Sequence, residues 1–219
     1  MYFEYGQKET DYLKSKDRKL AAVIDAIGRI NRPVEDDVFA SVVKHIVGQQ
    51  ISAKAQSTVW QRALDRYGTV SPESLAQAQV HELQSLGLTF KKAGYIRAFV
   101  KRVLDGQFDL ICLAQMPDQD AISMLTSLDG VGVWTAEMIL LFALQRPDVF
   151  SYGDLAIRRG LRMLYRHTSV DRTRFERYRR RFSPYGSVAS LYIWAVAGGA
   201  MPELTDLAKS KREGVWPTS

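Results

Sequence analysis

The sequence predicts an all-α fold, and two observations carry this prediction. Apolar residues recur at intervals of three and four through most of the chain, which is the spacing of one face of a helix. A sustained alternation of apolar and polar residues, the pattern of a half-buried strand, does not occur. With 219 residues, the chain is long enough for one large domain or two small ones with apolar cores. We therefore expect roughly ten helices.

In the first half of the chain, helix boundaries follow from stop and capping residues. The first helix is predicted over residues 10–29, and Asn31-Arg32-Pro33 ends its apolar pattern. Ser71-Pro72 predicts the start of a short helix, because proline is favoured at the first helical position. Other helices are predicted over residues 37–47, 53–67, 80–86, 90–104 and 109–114.

In the second half, Asp118 is placed to accept hydrogen bonds from the first amides of a short helix. Residues 133–144 are apolar on nearly all sides, so the helix they form is expected to be buried. Asp171 is expected to cap a strongly basic helix, and Ser183-Pro184 to begin the last major one. The predicted helices beyond residue 150 span residues 155–165, 172–182 and 185–197.

Composition restricts the class of protein. The net charge of +6 favours an anionic partner such as nucleic acid, although many unrelated proteins are as basic. The only cysteine, Cys112, lies in an apolar run and is expected in the core, and a single cysteine excludes a disulfide framework. The sequence has no run of about 18 apolar residues and does not begin with a secretory signal. We expect an intracellular protein, in the cytoplasm or in a nucleus, that does not associate with membranes.

The stretch over residues 118–166, and within it residues 128–136, is expected to organise the fold, with a hairpin at residues 128–132. Gly130 and Gly132 lack the Cβ atoms that would prevent a sharp reversal or a close approach to another backbone. Amide groups at the start of the following helix then face outward, where the helix dipole attracts an anion such as a phosphate. Such a hairpin can hold a DNA backbone without reading its sequence. Two simpler interpretations stay open: a β-turn at Asp129-Gly130 and an ordinary connection between helices.

A wider pattern surrounds this hairpin. Leu128 to Ala136 read Leu-x-Gly-Val-Gly-x-x-Thr-Ala, and Asp154 follows Gly132 by 22 residues. The combination resembles the helix-hairpin-helix and Gly/Pro-Asp signature of a DNA glycosylase superfamily. It is most similar to the compact form of the 3-methyladenine DNA glycosylase II branch, and Trp134 and Gly48-Gln49-Gln50 carry that likeness. The resemblance covers about residues 38–198, most of the chain.

The resemblance implies two helical lobes with a catalytic cleft between them. The central lobe would span residues 33–128, and the second would combine residues 1–32 with residues 129–219. The hairpin, residues 128–132, would lie at their junction. The implied partner is duplex DNA with a damaged base, bound by a monomer without a cofactor.

Asp154 is the residue to which the resemblance assigns catalysis. Breaking the bond between deoxyribose and a base builds positive charge on the sugar, which a nearby carboxylate stabilises. An alkylated purine that is already cationic leaves without a general acid. The structural alternative for Asp154 is the N-cap of the next helix, and the two roles are compatible.

The expected base pocket consists of aromatic side chains, which attract a cationic base. By resemblance, its residues are Trp134, Tyr152 and Tyr185. Bifunctional members of the superfamily carry a nucleophilic lysine at the position of Trp134, so the resemblance implies a monofunctional enzyme. The alternative is that Trp134 only anchors helix packing. Relatives usually show Pro-Trp-Arg-Ser near Tyr185, and this chain lacks that arginine.

Contacts with DNA are implied for two segments. Gln49, Gln50 and Ile51 match the loop that supplies the wedge entering the base stack when a nucleotide is turned out. The choice between Gln50 and Ile51 as the wedge residue stays open. In the hairpin, the implied DNA-binding residues are Gly130, Val131, Gly132 and Thr135. A structural sodium or potassium ion is implied there too, held by the backbone carbonyls of Thr126, Leu128 and Val131. The histidines, His45, His81 and His167, do not have the spacing of a metal site.

The role of the basic segment between Arg158 and Arg181 stays open. Its ten arginines and one histidine form either a DNA-binding surface or a solvated helix face. Two other functions also stay open for the chain. One is a helix-hairpin-helix protein that binds DNA without catalysis, which would need no acid at Asp154. The other is a glycosylase for another lesion, such as mismatched uracil or thymine.

Overall fold

The structure, a computed structural model, describes residues 1–35 and 37–210. Within this range the regular secondary structure is helical, apart from one isolated antiparallel bridge between Tyr2 and Pro33, so the predicted all-α class is confirmed. The helices are α1 (Gln7–Lys16), α2 (Arg18–Ile27), α3 (Val38–Gly48), α4 (Ala53–Tyr67), α5 (Val80–Ser85), α6 (Phe90–Leu104), α7 (Leu110–Gln115), α8 (Asp118–Thr126), α9 (Val133–Phe142), α10 (Leu155–Tyr165), α11 (Arg172–Phe182), α12 (Gly186–Ala197) and α13 (Leu207–Ser210). In the described part of the chain, no helix has both the length and the hydropathy needed to cross a bilayer.

The chain divides into two compact units. The first contains Met1 and Val34–Leu144, and the second contains Tyr2–Pro33 and the chain from Gln145 onward. The boundary lies at residue 144 rather than at the expected residue 128, because α9 packs against α8 and α3. A helix that is apolar on nearly all sides is buried by neighbours on several sides. Residues 211–219 of the expected second lobe lie outside the described residues.

An aromatic cluster forms the centre of the first unit. Phe39 of α3 stacks on Phe99 of α6 with ring centroids 4.9 Å apart, and Phe108 meets Phe99 edge-on at 5.4 Å. All three rings are almost fully buried. Burial of side chains this large is the main favourable contribution to folding. The cluster therefore fixes α6 on α3.

The second unit is organised around the contact between α10 and α12. Gly160 allows the close approach, since a Cβ atom there would lie 2.3 Å from the carbonyl oxygen of Ile193. A second cluster forms where Phe150 stacks on Phe175 at 5.0 Å and meets Phe182 edge-on at 5.5 Å. Phe150 lies shortly before α10, so this packing fixes the chain that leads into the helix.

The predicted first helix is wrong in one respect, because the structure has two helices there. Asp17 ends α1 in an extended conformation and caps α2. Its Oδ1 atom accepts hydrogen bonds from the amides of Lys19 and Leu20, at 3.0 and 2.9 Å. Apolar residues in the same register on both helices made the pattern look continuous. Asp17 lies within this apolar pattern, and its preference for the N-cap position is the signal that predicts the break.

Three further expectations are corrected. Cys112 is exposed. Helix α7 has only 6 residues, and its buried side chain is that of Leu113. Asp118 lies in the first turn of α8, and Pro117 is the N-cap residue. The residues after Ser71 form turns rather than a helix, held by reciprocal hydrogen bonds between Ser71 and Ser74. Each of these segments is short, and short apolar runs carry little periodic information.

Candidate functional site

The hairpin of the first unit has the expected reversal. Its turn is closed by the amide of Val131, which donates to the carbonyl of Leu128 at 3.1 Å. Gly130 has a φ of +81°, a conformation that glycine adopts without strain. Gly132 is the N-cap residue of α9, and both it and the following Val133 are exposed. The first amides of α9 have no partner within their own helix, so this end is suited to an anion.

The two hairpin glycines have different surroundings. A Cβ atom at Gly130 would lie 2.4 Å from Cδ2 of Tyr95, because the tyrosine ring packs directly on the glycine backbone. A Cβ atom at Gly132 would meet no other atom within 4 Å. Gly130 is therefore required by the packing of the turn, whereas Gly132 is open toward the outside. This agrees with a surface at Gly132 that another backbone can approach.

The loop between α3 and α4 lies beside the hairpin in the same unit. The side-chain amide of Gln49 donates to the carbonyl of Gly130 at 2.6 Å. Gln50 and Ile51 are exposed, and Gln50 adopts a left-handed φ of +56°. Gln49 therefore holds the hairpin, while Gln50 and Ile51, the two candidates for the wedge residue, form the exposed tip of the loop. An open groove of about 270 Å³ runs beside this tip, lined by Gln49, Gln50, Ile51, Thr89, Lys91, Lys92, Tyr95 and Gly130.

The first turn of α9 has one exposed and one buried side. Val133 and Trp134 are 58% and 45% exposed, so the expectation that this helix is buried on all sides is wrong at its start. Trp134 thus lies partly exposed at the surface of the unit, and its place in a base pocket stays a prediction. Thr135 and Val131 are only 7% and 5% exposed. Any contact that these two residues make with DNA therefore involves the backbone rather than the side chain.

Asp154 lies in the second unit at the N-terminus of α10. Its Oδ1 atom accepts the amide of Ile157 at 2.9 Å, so the expected N-cap is present. The indole nitrogen of Trp194 donates to the same oxygen at 3.2 Å. Only 8% of the residue is exposed, although carboxylates are rarely buried without a reason. Two hydrogen bonds on one oxygen fix the plane of this carboxylate.

Trp194 is a site residue that the sequence analysis did not identify. It lies on α12, and it reaches a residue 40 positions earlier in the chain. The close packing of α12 on α10 at Gly160 brings the two together. Only the donor group of the indole ring could have indicated a polar partner.

The ring of Tyr152 lies among cations and an aromatic neighbour. The guanidinium carbons of Arg158 and Arg172 are 5.0 and 4.9 Å from its centroid, and Phe175 meets it edge-on at 5.2 Å. Guanidinium groups at these distances are attracted by the ring quadrupole. Tyr152 therefore already has cationic partners in the structure, and its part in a pocket for a cationic base stays a prediction.

Tyr185 belongs to a loop that is held at both ends. Asp148 accepts a hydrogen bond from the hydroxyl of Ser183 at 2.6 Å and one from the amide of Gly186 at 3.0 Å. Tyr12 of α1 meets the ring of Tyr185 edge-on at 5.2 Å, and its hydroxyl donates to the carbonyl of Ser183 at 2.7 Å. The last major helix begins at Gly186, after a cis peptide bond between Ser183 and Pro184. Asp148 and Tyr12 are thus supports of this loop that sequence reasoning missed.

The basic segment contains two kinds of arginine. Some form ion pairs inside the unit: Arg162 binds Asp206 through two nitrogens at 2.9 and 2.6 Å, and Arg181 binds Asp17 at 2.5 Å. Others on α11 are exposed, namely Arg177, Arg179 and Arg180. Ion pairs thus fix part of the segment on α10 and α11, and an exposed basic face remains on α11. Whether this face binds DNA or is only solvated stays open.

Two kinds of metal site are considered for this chain, one made of side chains and one made of backbone carbonyls. Within residues 1–35 and 37–210, no group of three or more His, Cys, Asp or Glu side chains is arranged to hold a metal ion. The expected monovalent cation would instead use neutral backbone oxygens, which suit such ions. The carbonyl of Leu128 accepts one hydrogen bond, from Val131, and a carbonyl oxygen has two lone pairs. An ion held by the carbonyls of Thr126, Leu128 and Val131 stays a prediction.

Comparison with known families confirms the resemblance. The family model for the HhH-GPD superfamily of base excision DNA repair proteins matches residues 43–184. The chain belongs to this superfamily. Its structure superposes on that of a DNA-3-methyladenine glycosidase from Bacillus halodurans with a TM-score of 0.83 and 32% identity, over 97% of this chain and 99% of the other.

Curated relatives of this HhH-GPD protein include enzymes of yeast and bacteria. DNA-3-methyladenine glycosylase 1 of Schizosaccharomyces pombe is 24% identical over 209 residues, which are 92% of this chain and 90% of that protein. YfjP of Bacillus subtilis is 25% identical over 187 residues, and these cover 80% of this chain but 64% of YfjP. The chain thus spans less than two thirds of YfjP and most of the yeast enzyme.

Proposed function

We propose that this HhH-GPD protein is a monofunctional DNA glycosylase that hydrolyses the N-glycosidic bond of alkylated purines in duplex DNA. The observation that carries the proposal is Asp154, a nearly buried carboxylate at the N-terminus of α10, which accepts hydrogen bonds from Ile157 and Trp194 and follows Gly132 by 22 residues. Relatives named DNA-3-methyladenine glycosylase or glycosidase support the class of lesion. 3-Methyladenine and 7-methylguanine are the expected bases, and the product is an abasic site.

The proposed partner is duplex DNA with a damaged base, bound by one molecule of the protein. Amides at the start of α9 and the exposed arginines of α11 address phosphates, which are present in every sequence. A cation held by the carbonyls of Thr126, Leu128 and Val131 would add positive charge at the hairpin. The exposed tip, Gln50 and Ile51, enters the base stack when the damaged nucleotide is turned out.

The proposed chemistry needs one carboxylate and no general acid. Departure of a cationic base leaves positive charge on the sugar, and the carboxylate of Asp154 stabilises this charge as it develops. Water then adds to the sugar and releases one proton, which leaves a neutral abasic site. Trp134 offers no amine for a covalent intermediate. The hydrogen bonds from Ile157 and Trp194 both go to Oδ1 and so hold the carboxylate in one orientation. Such preorganisation is a main source of electrostatic stabilisation in enzymes.

The substitution Asp154→Asn tests the proposal. Asparagine is as good an N-cap residue as aspartate, so its oxygen keeps the hydrogen bond from Ile157 and α10 stays intact. Base release from methylated duplex DNA should fall about 100-fold or more, because only the charge is lost. Binding to DNA and the melting temperature should change little.

Near-normal base release by Asp154→Asn would contradict the catalytic role and leave Asp154 as a capping residue only. The protein would then be a helix-hairpin-helix DNA-binding protein without this activity. Asp154→Ala is the matched control, since it removes the cap as well as the charge. It should lose about 1 kcal/mol of stability, which Asp154→Asn should retain.

A further inference from the structure

Two adjacent lysines at the start of α6 make different contacts. The Nζ atom of Lys92 donates hydrogen bonds to the carbonyls of Val47 and Gln49, at 2.9 and 2.5 Å. Lys91 is exposed, and its Nζ atom lies 5.8 Å from the ring centroid of Tyr95. Only Lys92 is bonded to the loop between α3 and α4. A basic pair that looks uniform in sequence therefore consists of one structural cation and one surface cation.

The carbonyls that Lys92 contacts are chemically suited to a cation. Helix α3 ends at Gly48, and the last carbonyls of a helix have no amide partner within it. They also form the negative end of the helix dipole. Burial lowers the pKa of Lys92, which is consistent with an amine removed from water by the loop that it holds. A hydrogen bond with a charged donor is about twice as strong as a neutral one.

The contacts of Lys92 leave the tip of the loop exposed. Lys92 and the bond from Gln49 to Gly130 hold its first residue from two sides. The next two residues, Gln50 and Ile51, extend outward, and Gln50 is in the left-handed region that a longer side chain rarely occupies. Such a conformation persists only where the surroundings impose it. Gln50 directly follows Gln49, whose carbonyl Lys92 contacts. We therefore infer that this contact helps to impose the conformation of Gln50.

We propose that Lys92 is a positioning residue for base extrusion, which holds the loop so that Gln50 and Ile51 enter the DNA stack in a fixed geometry. This inference rests on the proposed glycosylase function. Lys92 does not touch the reacting atoms, and it acts through the loop. Its loss leaves the tip free to adopt other conformations, so fewer encounters turn the nucleotide out.

The test compares a paired lesion with an unpaired one. Base release is measured under single-turnover conditions from a duplex with 7-methylguanine opposite cytosine, and from the same lesion in a one-nucleotide bulge. Extrusion costs less for the unpaired base, so the bulge needs the wedge less. For Lys92→Met, the paired rate should fall about 10-fold relative to wild type, as expected for the loss of charge-assisted hydrogen bonds. The bulge rate should fall by much less.

Two variants serve as controls. Lys91→Met removes the same charge one position away and should leave the ratio of the paired rate to the bulge rate at the wild-type value. Lys92→Arg keeps a cationic donor and should restore part of that ratio. Melting temperatures of all variants are measured in parallel.

The outcomes distinguish the two levels of the inference. Absence of base release by the wild-type protein would contradict the proposed function itself. With an active wild type, an equal fall of both rates in Lys92→Met would show that the residue supports only the general fold. An equal change of the ratio in Lys91→Met would show that charge near the DNA, rather than the position of the loop, is what matters. Either result would overturn the role of Lys92.

Discussion

The two glycines of the hairpin look equivalent in sequence, but alanine substitutions should separate them. At Gly130, a Cβ atom would lie 2.4 and 2.7 Å from two carbon atoms of the Tyr95 ring, and φ is +81°. A left-handed conformation costs a non-glycine residue about 1–2 kcal/mol. Overpacking of this kind typically costs about 1–3 kcal/mol. Gly130→Ala should therefore reduce the free energy of unfolding by about 2–5 kcal/mol.

Gly132→Ala is the matched control in the same hairpin. Its φ of −91° suits any residue, and the new Cβ would meet no atom within 4 Å. The loss of stability should be below about 1 kcal/mol, the difference between glycine and alanine at an N-cap. The methyl group would instead point to the exposed side, where we propose that phosphate binds. Gly132→Ala should thus weaken DNA binding more than it affects stability.

Chemical denaturation of the full chain measures the first effect, and fluorescence anisotropy with an abasic duplex measures the second. The double variant Gly130→Ala with Tyr95→Ala separates the two causes, since it removes the steric conflict and retains the backbone strain. Its stability should exceed the sum expected from the single variants. Equal stability of Gly130→Ala and Gly132→Ala would refute the argument, because neither the φ angle nor the Tyr95 contact would then matter.

Two further predictions concern lesion charge and pH. Cationic 3-methyladenine or 7-methylguanine should be released much faster than neutral hypoxanthine or uracil, and the strand should stay intact until alkali is added; borohydride trapping of a covalent adduct would contradict this. Burial lowers the pKa of His45, although a 2.8 Å contact between its Nδ1 atom and the carbonyl of Ser41 acts in the opposite direction. As pH falls, the imidazole of His45 therefore binds a proton more readily in the unfolded chain than in the folded chain. Stability from this group is present above the unfolded pKa of about 6.5 and is lost as pH falls below it. The fall in melting temperature from pH 7.5 to 5.5 should be smaller in His45→Gln, and an unchanged fall would exclude the contribution.

Local sequence patterns were sufficient to predict the all-α class, the hairpin and the cap at Asp154. These features depend on residues close together in the chain. Helical periodicity and a glycine that reverses the chain are local features. Asp154 likewise accepts a hydrogen bond from an amide only three residues later. The superfamily could be predicted from the sequence because its signature is a short motif followed by an acidic residue at a fixed spacing.

Hydrogen-bond partners far apart in the chain could be identified only in the tertiary structure. Trp194 reaches Asp154 across 40 residues, Gln49 reaches Gly130 across 81, and Lys92 reaches Val47 across 45. Periodicity places a residue on a helix face but does not state which helix lies against that face. The exposure of Cys112 and the burial of Thr135 were decided in the same way. Side-chain partners depend on how whole helices pack, and packing depends on the shape of many residues together.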